Sequence, residues 1–369
     1  MSEIKVNSIK GVGASTAAIT VNNTDGTCTA NLTNRTNKNI IVNGGCNIAQ
    51  RGTTSTSQQI QTVDRFNLGF NGHDEVLTQS QGDVASGTTP YNLGLRKTYK
   101  ITNGNQTSGA GAADYAYIIF PVPEAQDIAK SGWNYTSTSS FITLSFYVKS
   151  SVAQNFYGYL KTSDGTSARY SFETGALSAD TWTRVIKTVS GNSNLTFNND
   201  TGYGMEMAIW PFIGTDLTDS SAATLNAWRT GSTGSSRTPD SPSTWWTTND
   251  ATFEITGVQL EVSDHATDFE YEPFETTLRR CERYYQKIDS AETTGNASHA
   301  YLYRQAIPFR TEMRAAPTFN SSAFGSDSGT ATPSAWSSGG YLTALGAGAT
   351  VGSQTHAIIG RALLDAELT

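Results

Sequence analysis

From about residue 60 to residue 270 the chain repeats one pattern. Five to nine residues with alternating apolar side chains are followed by a Gly, Ser or Asp turn. Strand side chains alternate between faces with period 2, so each such run defines one buried and one outer face. In "FITLSFYVK" (141–149), Ile142, Leu144, Phe146 and Val148 share one face, with Thr143, Ser145 and Tyr147 opposite. "LRKTYKI" (95–101) places Leu95, Tyr99 and Ile101 together, and "DYAYIIF" (114–120) is apolar on both faces. "NFYGYL", "RYSFE", "WTRVIKTV" and "GMEMAIW" continue the series. Eight or more such strands over roughly 200 residues predict an antiparallel sandwich of jelly-roll type.

One strand breaks its own parity. In "FEITGVQLEV", Phe253 and Ile255 are odd, whereas Val258, Leu260 and Val262 are even. A strand with one buried face keeps one parity unless a residue is inserted. Glycine inside a strand often marks a β-bulge, so an extra residue at Thr256–Gly257 is expected to turn all five side chains into one core. Glu254 and Glu261 are then expected on the solvated outer face.

The flanks read differently. Residues 1–45 hold short pieces ("EIKVNSIK", "AAITVNN", "CTANLTN", "NIIVNGG") with two or three large apolar residues each. Such a segment cannot bury a core alone and is expected to wind with copies of itself. "PFETTLRRCERYYQKI" (273–288) predicts a short helix. Phe274, Leu278, Cys281 and Tyr285 lie on one face, Pro273 at the start, and Glu275 pairs with Arg279; "RYYQK" equally suits a strand. β signals return over 299–369. The expected fold is all-β: an N-terminal β stalk (1–45), an antiparallel jelly-roll sandwich (46–272), then a short helix and a small C-terminal β domain (273–369).

Composition narrows the function. Charged residues are 15% and the net charge is −7 with no Lys/Arg cluster. Nucleic-acid affinity needs phosphate neutralisation, so no nucleic-acid partner is expected. No apolar run approaches the ~18 residues of a membrane span, so no membrane insertion is expected. "MSEIKVNSIK" lacks the apolar core of a signal peptide, which predicts synthesis in a cytoplasm. Cys28, Cys46 and Cys281 match no zinc or redox spacing and read as reduced thiols, Cys281 buried.

Several separated motifs agree in order with one family. "NIIVNGGCNIAQRGTT", "TVDRFNL", "TLNAWRTG", "FEITGVQLEV...ATDFEYEPFETTLRRCERYYQK" and "FRTEMRAAPTF" resemble the C-terminal modules of bacteriophage tail-fibre proteins. Ser263 and Asp268 depart from that pattern, where a glycine and a proline are usual. "IKVNSIKGVGASTAAITVNN" is similar to fibre-stalk segments of phages of marine bacteria. The resemblance implies a carbohydrate-binding-module-like jelly roll on a homotrimeric fibre. It implies a structural protein of the virion, attached to other phage tail proteins through residues 1–45. Its implied partner is a host surface glycan or envelope protein. The alternatives are a connector or decoration protein that recognises no receptor, and a polysaccharide depolymerase.

A glycan adhesin needs aromatic platforms with polar rims, since sugars stack C–H faces on rings and offer hydroxyls to charged groups. The Gly/Ser/Pro-rich segment 211–250 supplies Trp228, Arg229, Arg237, Asp240, Trp245 and Trp246; "SGWNYTS" supplies Trp133 and Tyr135. Loops on a rigid sandwich are the usual place for such a site. The chain is expected not to be an enzyme: Asp164, Asp180 and Asp200 sit in turns, the four histidines are scattered, and no G-x-S-x-G occurs. A structural Ca²⁺ would draw on Asp64, Glu254 and Asp268.

Overall fold

A computed structural model of the chain describes residues 7–9, 19–21, 24, 28–30, 37–231, 234–288, 291–296, 303–320, 330–335, 341–347, 354–359 and 362–368. Three short strands come first: β1 (Ser8–Ile9), β2 (Ile19–Val21) and β3 (Cys28–Ala30) form an antiparallel meander. The sandwich follows with β4 (Thr54–Ser55), β5 (Asn67–Asn71), β6 (Thr78–Asp83), the helical turn α1 (Thr89–Asn92), β7 (Lys97–Thr102) and β8 (Tyr115–Ile119). After α2 (Ala125–Ala129) come β9 (Phe141–Ser150), β10 (Asn155–Thr162), β11 (Ala168–Ala176), β12 (Thr183–Ser190), β13 (Met205–Ile213) and β14 (Trp228–Thr230). The turn α3 (Thr244–Thr247) leads to the closing strand β15 (Thr252–Glu261).

These strands make two six-stranded antiparallel sheets, β14-β11-β10-β13-β8-β5 and β12-β9-β15-β7-β6-β4. The fold is an all-β jelly-roll sandwich. Its core lies between the sheets, as the alternation predicts: Ile142, Leu144, Phe146 and Val148 of β9 face Phe156, Leu160, Phe172 and Met207 across it. Full burial of each side chain of this size contributes about 1.5–3 kcal/mol.

The parity break in β15 is a bulge. Against β9, Thr256 pairs with Tyr147 but Gln259 pairs with Ser145, so three steps on one strand match two on the other. Gly257 takes φ +64°, and a Cβ there would lie 2.8 Å from Leu95 Cδ1. Phe253, Ile255, Val258 and Leu260 are all fully buried in one core, with Val262 packed against it. Leu95 departs from expectation. It precedes β7, drops onto the bulge, and packs with Val84 and Tyr147 outside the main core.

The expected boundary at residue 45 moves. Ile40 N–H donates to Leu260 O and Val258 N–H donates to Gly44 O, each at 2.9 Å, so this segment is hydrogen-bonded along β15 beyond the point where β7 leaves it. Ile41 and Cys46 enter the main core. "NIIVNGG" therefore belongs to the sandwich, not to the stalk.

Beyond it, α4 (Phe274–Glu282) gives way to β16 (Tyr285–Ile288). Thr277 and Cys281 are buried, whereas Phe274, expected on the buried face, is 63% exposed in the first turn. Glu275 and Arg279 pair at 2.9 Å as predicted. Cys46 and Cys281 are buried free thiols; the Cys28 side chain lies outside the described residues. The remaining strands are β17 (Ala291–Asn296), β18 (Tyr303–Pro308), β19 (Thr318–Asn320), β20 (Thr330–Ala335), β21 (Tyr341–Ala347), β22 (Gln354–Ile359) and β23 (Ala362–Asp365). They pair as β16-β23-β19, β17-β22 and β18-β21-β20. The last residues return to the sandwich: Leu368 packs with Val42, Ile48 and Val122, and the Glu367 carboxylate meets Arg51 and Arg65. No helix among the described residues is long and apolar enough to cross a membrane.

Candidate functional site

The tryptophans expected to carry the site are structural. Trp245 and Trp246 are 0% exposed. "TWW" forms a helical turn, and both rings point inward. Their indole N–H groups donate to Thr252 O (3.1 Å) and Gly109 O (3.0 Å). The Asn103 amide holds the turn by donating to the carbonyls of Trp245, Trp246 and Thr248. Trp133 is 3% exposed and donates to Ser140 O, while Tyr135 stands edge-on to Phe197. Trp228 is half-buried on the core side against Tyr170, its N–H on Ser190 O at 2.8 Å. Arg229, on the opposite face of the same short strand, donates to Ser236 O at 2.6 Å.

The proposed Ca²⁺ ligands do not meet. Asp64 is fully buried, accepts from the backbone and side chain of Gln50, and faces Arg51. Burial pushes its carboxyl up to about 6, against the pull of Arg51. Glu254 pairs with Lys149 at 2.9 Å, and Asp268 is exposed with only its backbone oxygen engaged, by Lys38 and Gln259. Among the described residues no group of three His, Cys, Asp or Glu is placed to hold a metal. These residues do not fit the cation. Glu254 and Glu261 are also not solvated, at 6% and 3% exposure. The segment after β15 folds back over that face, and Thr267 donates to Glu261 through its N–H (2.8 Å) and hydroxyl (2.7 Å).

Sequence reading missed the outer face of the other sheet. In β8, Ala116 and Ile118 enter the core, so Tyr115, Tyr117 and Ile119 point outward. β13 inserts a bulge at Trp210–Pro211: Ile209 pairs with Ile118 and Phe212 with Ala116. Ile209 and Phe212 thus both face the core, and Trp210 faces out beside the tyrosines. Across β10, Tyr157 lies opposite Trp210 and Lys161 opposite Glu206.

The result is an aromatic ledge. Tyr115 and Tyr117 are stacked at 5.7 Å with 15° between planes, and Trp210 packs against Tyr117 at 5.0 Å. Gly69 of β5 lies beneath the Tyr117 ring, and a Cβ there would come within 2.1 Å of Cζ. The missing side chain lets the ring lie down on the strand. Tyr115, Tyr117, Tyr157, Lys161 and Arg237 are half-exposed, while Trp210 and Tyr159 are buried beneath them. The loop following β13 covers the β11–β14 end. Leu217 packs on the cluster, and Arg237 O accepts from Ser171 at 2.8 Å.

Charge surrounds the ledge. Arg237 lies 5.4 Å over the Trp210 ring and Arg169 4.8 Å over Tyr159, in the cation–π range. Glu206 accepts from Tyr159 (2.5 Å) and Tyr203 (3.1 Å) and lies 3.6 Å from Lys161 Nζ. Burial, then Glu206, raises the phenols of Tyr159 and Tyr203, so both remain O–H donors. Burial likewise raises Tyr117, with Tyr115 and Glu206 adding to it and Arg237 opposing. Burial lowers Arg169, helped by the nearby Arg237 and Arg229. Flat rings edged with cationic donors and a carboxylate can stack a sugar ring and bind its hydroxyls. The signal in the sequence was "DYAYIIF", apolar on both faces where one face was not core.

No protein family model and no curated protein matches the chain. Solved structures resemble its β-sandwich loosely. The enzymatically active domain of tailspike protein 4 of bacteriophage CBA120 aligns over 61% of this chain and 22% of that one, at 10% identity and TM-score 0.33. The match therefore spans about a fifth of the tailspike chain. The family 11 carbohydrate-binding module of Clostridium thermocellum, solved with a β-1,3-1,4-mixed-linked tetrasaccharide, aligns over 57% of this chain and 96% of its own, at 10% identity and TM-score 0.26. A xylan-binding domain from Paenibacillus barcinonensis aligns over 58% and 94%, at 9% identity and TM-score 0.26.

Proposed function

We propose that the chain is a glycan-binding protein of a phage tail fibre, and that Tyr115 and Tyr117, backed by the buried Trp210, contact the host-surface glycan. The observation that carries this reading is a pair of stacked, half-exposed tyrosines on a sheet face, packed on Trp210 with Arg237 over its ring. A solvated strand face ordinarily carries Thr, Ser, Lys or Glu. Rings kept there at the expense of exposed apolar area mark a binding surface. The order of tail-fibre-like motifs along the chain supports the virion setting. In this reading three copies join through the N-terminal segment, which also docks on other tail proteins, and the sandwich binds without cleaving.

The test is binding of the full chain to a glycan array and to intact bacteria, with Tyr115→Ala/Tyr117→Ala as the comparison. Binding by the wild type that the double variant loses, with folding unchanged, supports the reading. Equal binding by both moves the site elsewhere. Absence of binding by either favours a connector or decoration protein. Light scattering tests the trimer, and a monomeric full chain overturns it. New reducing ends released from a bound polysaccharide would make the protein a depolymerase.

A further inference from the structure

The loop-covered end of the ledge is rich in donors that lack acceptors. Arg237 is half-exposed, and among the described residues its guanidinium makes no hydrogen bond or ion pair while lying over Trp210. The buried indole N–H of Trp210 and the Nε–H of Arg229 also find no acceptor among the described residues. All three groups donate only. The nearby carboxylates are committed. Glu206 is shared by two tyrosines and Lys161, Glu173 accepts from Asn155, and Asp219 accepts from Ser221 and Ala222. The chain is acidic overall, at −7, so this local excess of donors runs against its average.

We infer that the ligand is an anionic glycan. A carboxylate or sulfate of the sugar sits against Arg237, while the adjoining ring stacks on Tyr115 and Tyr117. The inference rests on the glycan-binding reading above. A guanidinium presents a planar fork that matches a carboxylate or sulfate, and such charge-assisted bonds are about twice as strong as neutral ones. A neutral sugar would leave the Arg237 guanidinium with weaker partners.

Matched polysaccharides test this with the wild-type full chain. Polygalacturonate is compared with its carboxyl-reduced galactan, and dextran sulfate with dextran, by calorimetry at low and high salt. The expected result is that at least one anionic member binds, its neutral counterpart binds ~10-fold weaker or worse, and salt weakens the anionic complex. The pair that responds identifies carboxylate or sulfate. Arg237→Ala should lower that affinity ~10-fold, Arg237→Lys should recover part of it, and Lys97→Ala, whose cation pairs with Asp83, should leave it unchanged. Equal, salt-insensitive binding of the neutral members would overturn the anionic ligand and leave the glycan reading standing. Binding of none of the four would overturn this inference, and the glycan reading would then stand or fall on the array.

Discussion

The two sheets present outer faces of opposite kind. On the β9–β15 face the outward residues are mostly polar, Thr143, Ser145, Thr256, Gln259 and Glu261, with Tyr147 among them. All six are buried, and residues 263–270 fold back over Thr143, Gln259 and Glu261. Thr143 donates to Ser263 O, Gln259 to Asp268 O, and Glu270 N–H donates back to Gln259. On the β8–β13–β10 face aromatic residues predominate beside Ile119, Lys161 and Glu206, and Tyr115, Tyr117 and Tyr157 remain half-exposed. The polar face is thus sealed by the chain itself and serves stability. Among the described residues the aromatic face is left partly open. Polarity alone does not tell which face of a sandwich meets solvent; what the rest of the chain does with it decides.

The largest effect expected from this contrast lies in neither face but in the turn once expected to bind. Trp246→Ala should cost about 3–5 kcal/mol in denaturant unfolding, the usual range for emptying a buried aromatic site. Next comes the sealed face. Glu261→Ala removes the acceptor for Thr267 N–H, the Thr267 hydroxyl and Gln259 Nε2. Stranding the Thr267 N–H, while the hydroxyl and the Gln259 amide keep Asp268 O, should cost about 1–3 kcal/mol, with no loss of glycan affinity in the folded protein. On the open face the balance reverses: Tyr115→Ala/Tyr117→Ala should cost only about 1 kcal/mol in stability. Its glycan affinity should fall at least ~10-fold. Equal stability losses at the two faces would break the distinction between them.

What the sequence made legible was local. The bulge at Gly257 follows from the parity of five residues within one strand, and a second parity break, Ile209 to Phe212, was present in "MEMAIWPF". The burial of Trp245 was not legible, because it depends on partners far along the chain. Its N–H meets Gln154, 91 positions away, and its carbonyl meets Asn103, 142 positions away. The covering of Glu261 depends on a segment whose path no periodicity specifies. The ledge lay between these cases. "DYAYIIF" announced apolar character on both faces, but a strand buried on both sides gives the same pattern. The choice rests on what covers the strand from outside, which no residue of the strand itself specifies.

The smallest effect sharpens the contrast most. Gly69 has no side chain, and the Tyr117 ring occupies the space a Cβ would need, 2.1 Å from Cζ and 2.6 Å from Cε1. The atom that must yield is part of a half-exposed ring that can swing outward, so Gly69→Ala should leave stability within about 1 kcal/mol of the wild type. The swing, however, would break the near-parallel stack of Tyr117 with Tyr115, whose planes are now only 15° apart. A sugar that rests on the stacked pair needs both rings in place, so affinity should drop several-fold while the unfolding midpoint barely moves. Unchanged affinity in Gly69→Ala would mean that the two tyrosines do not act as one platform, and the open face would then bind through its charged rim alone.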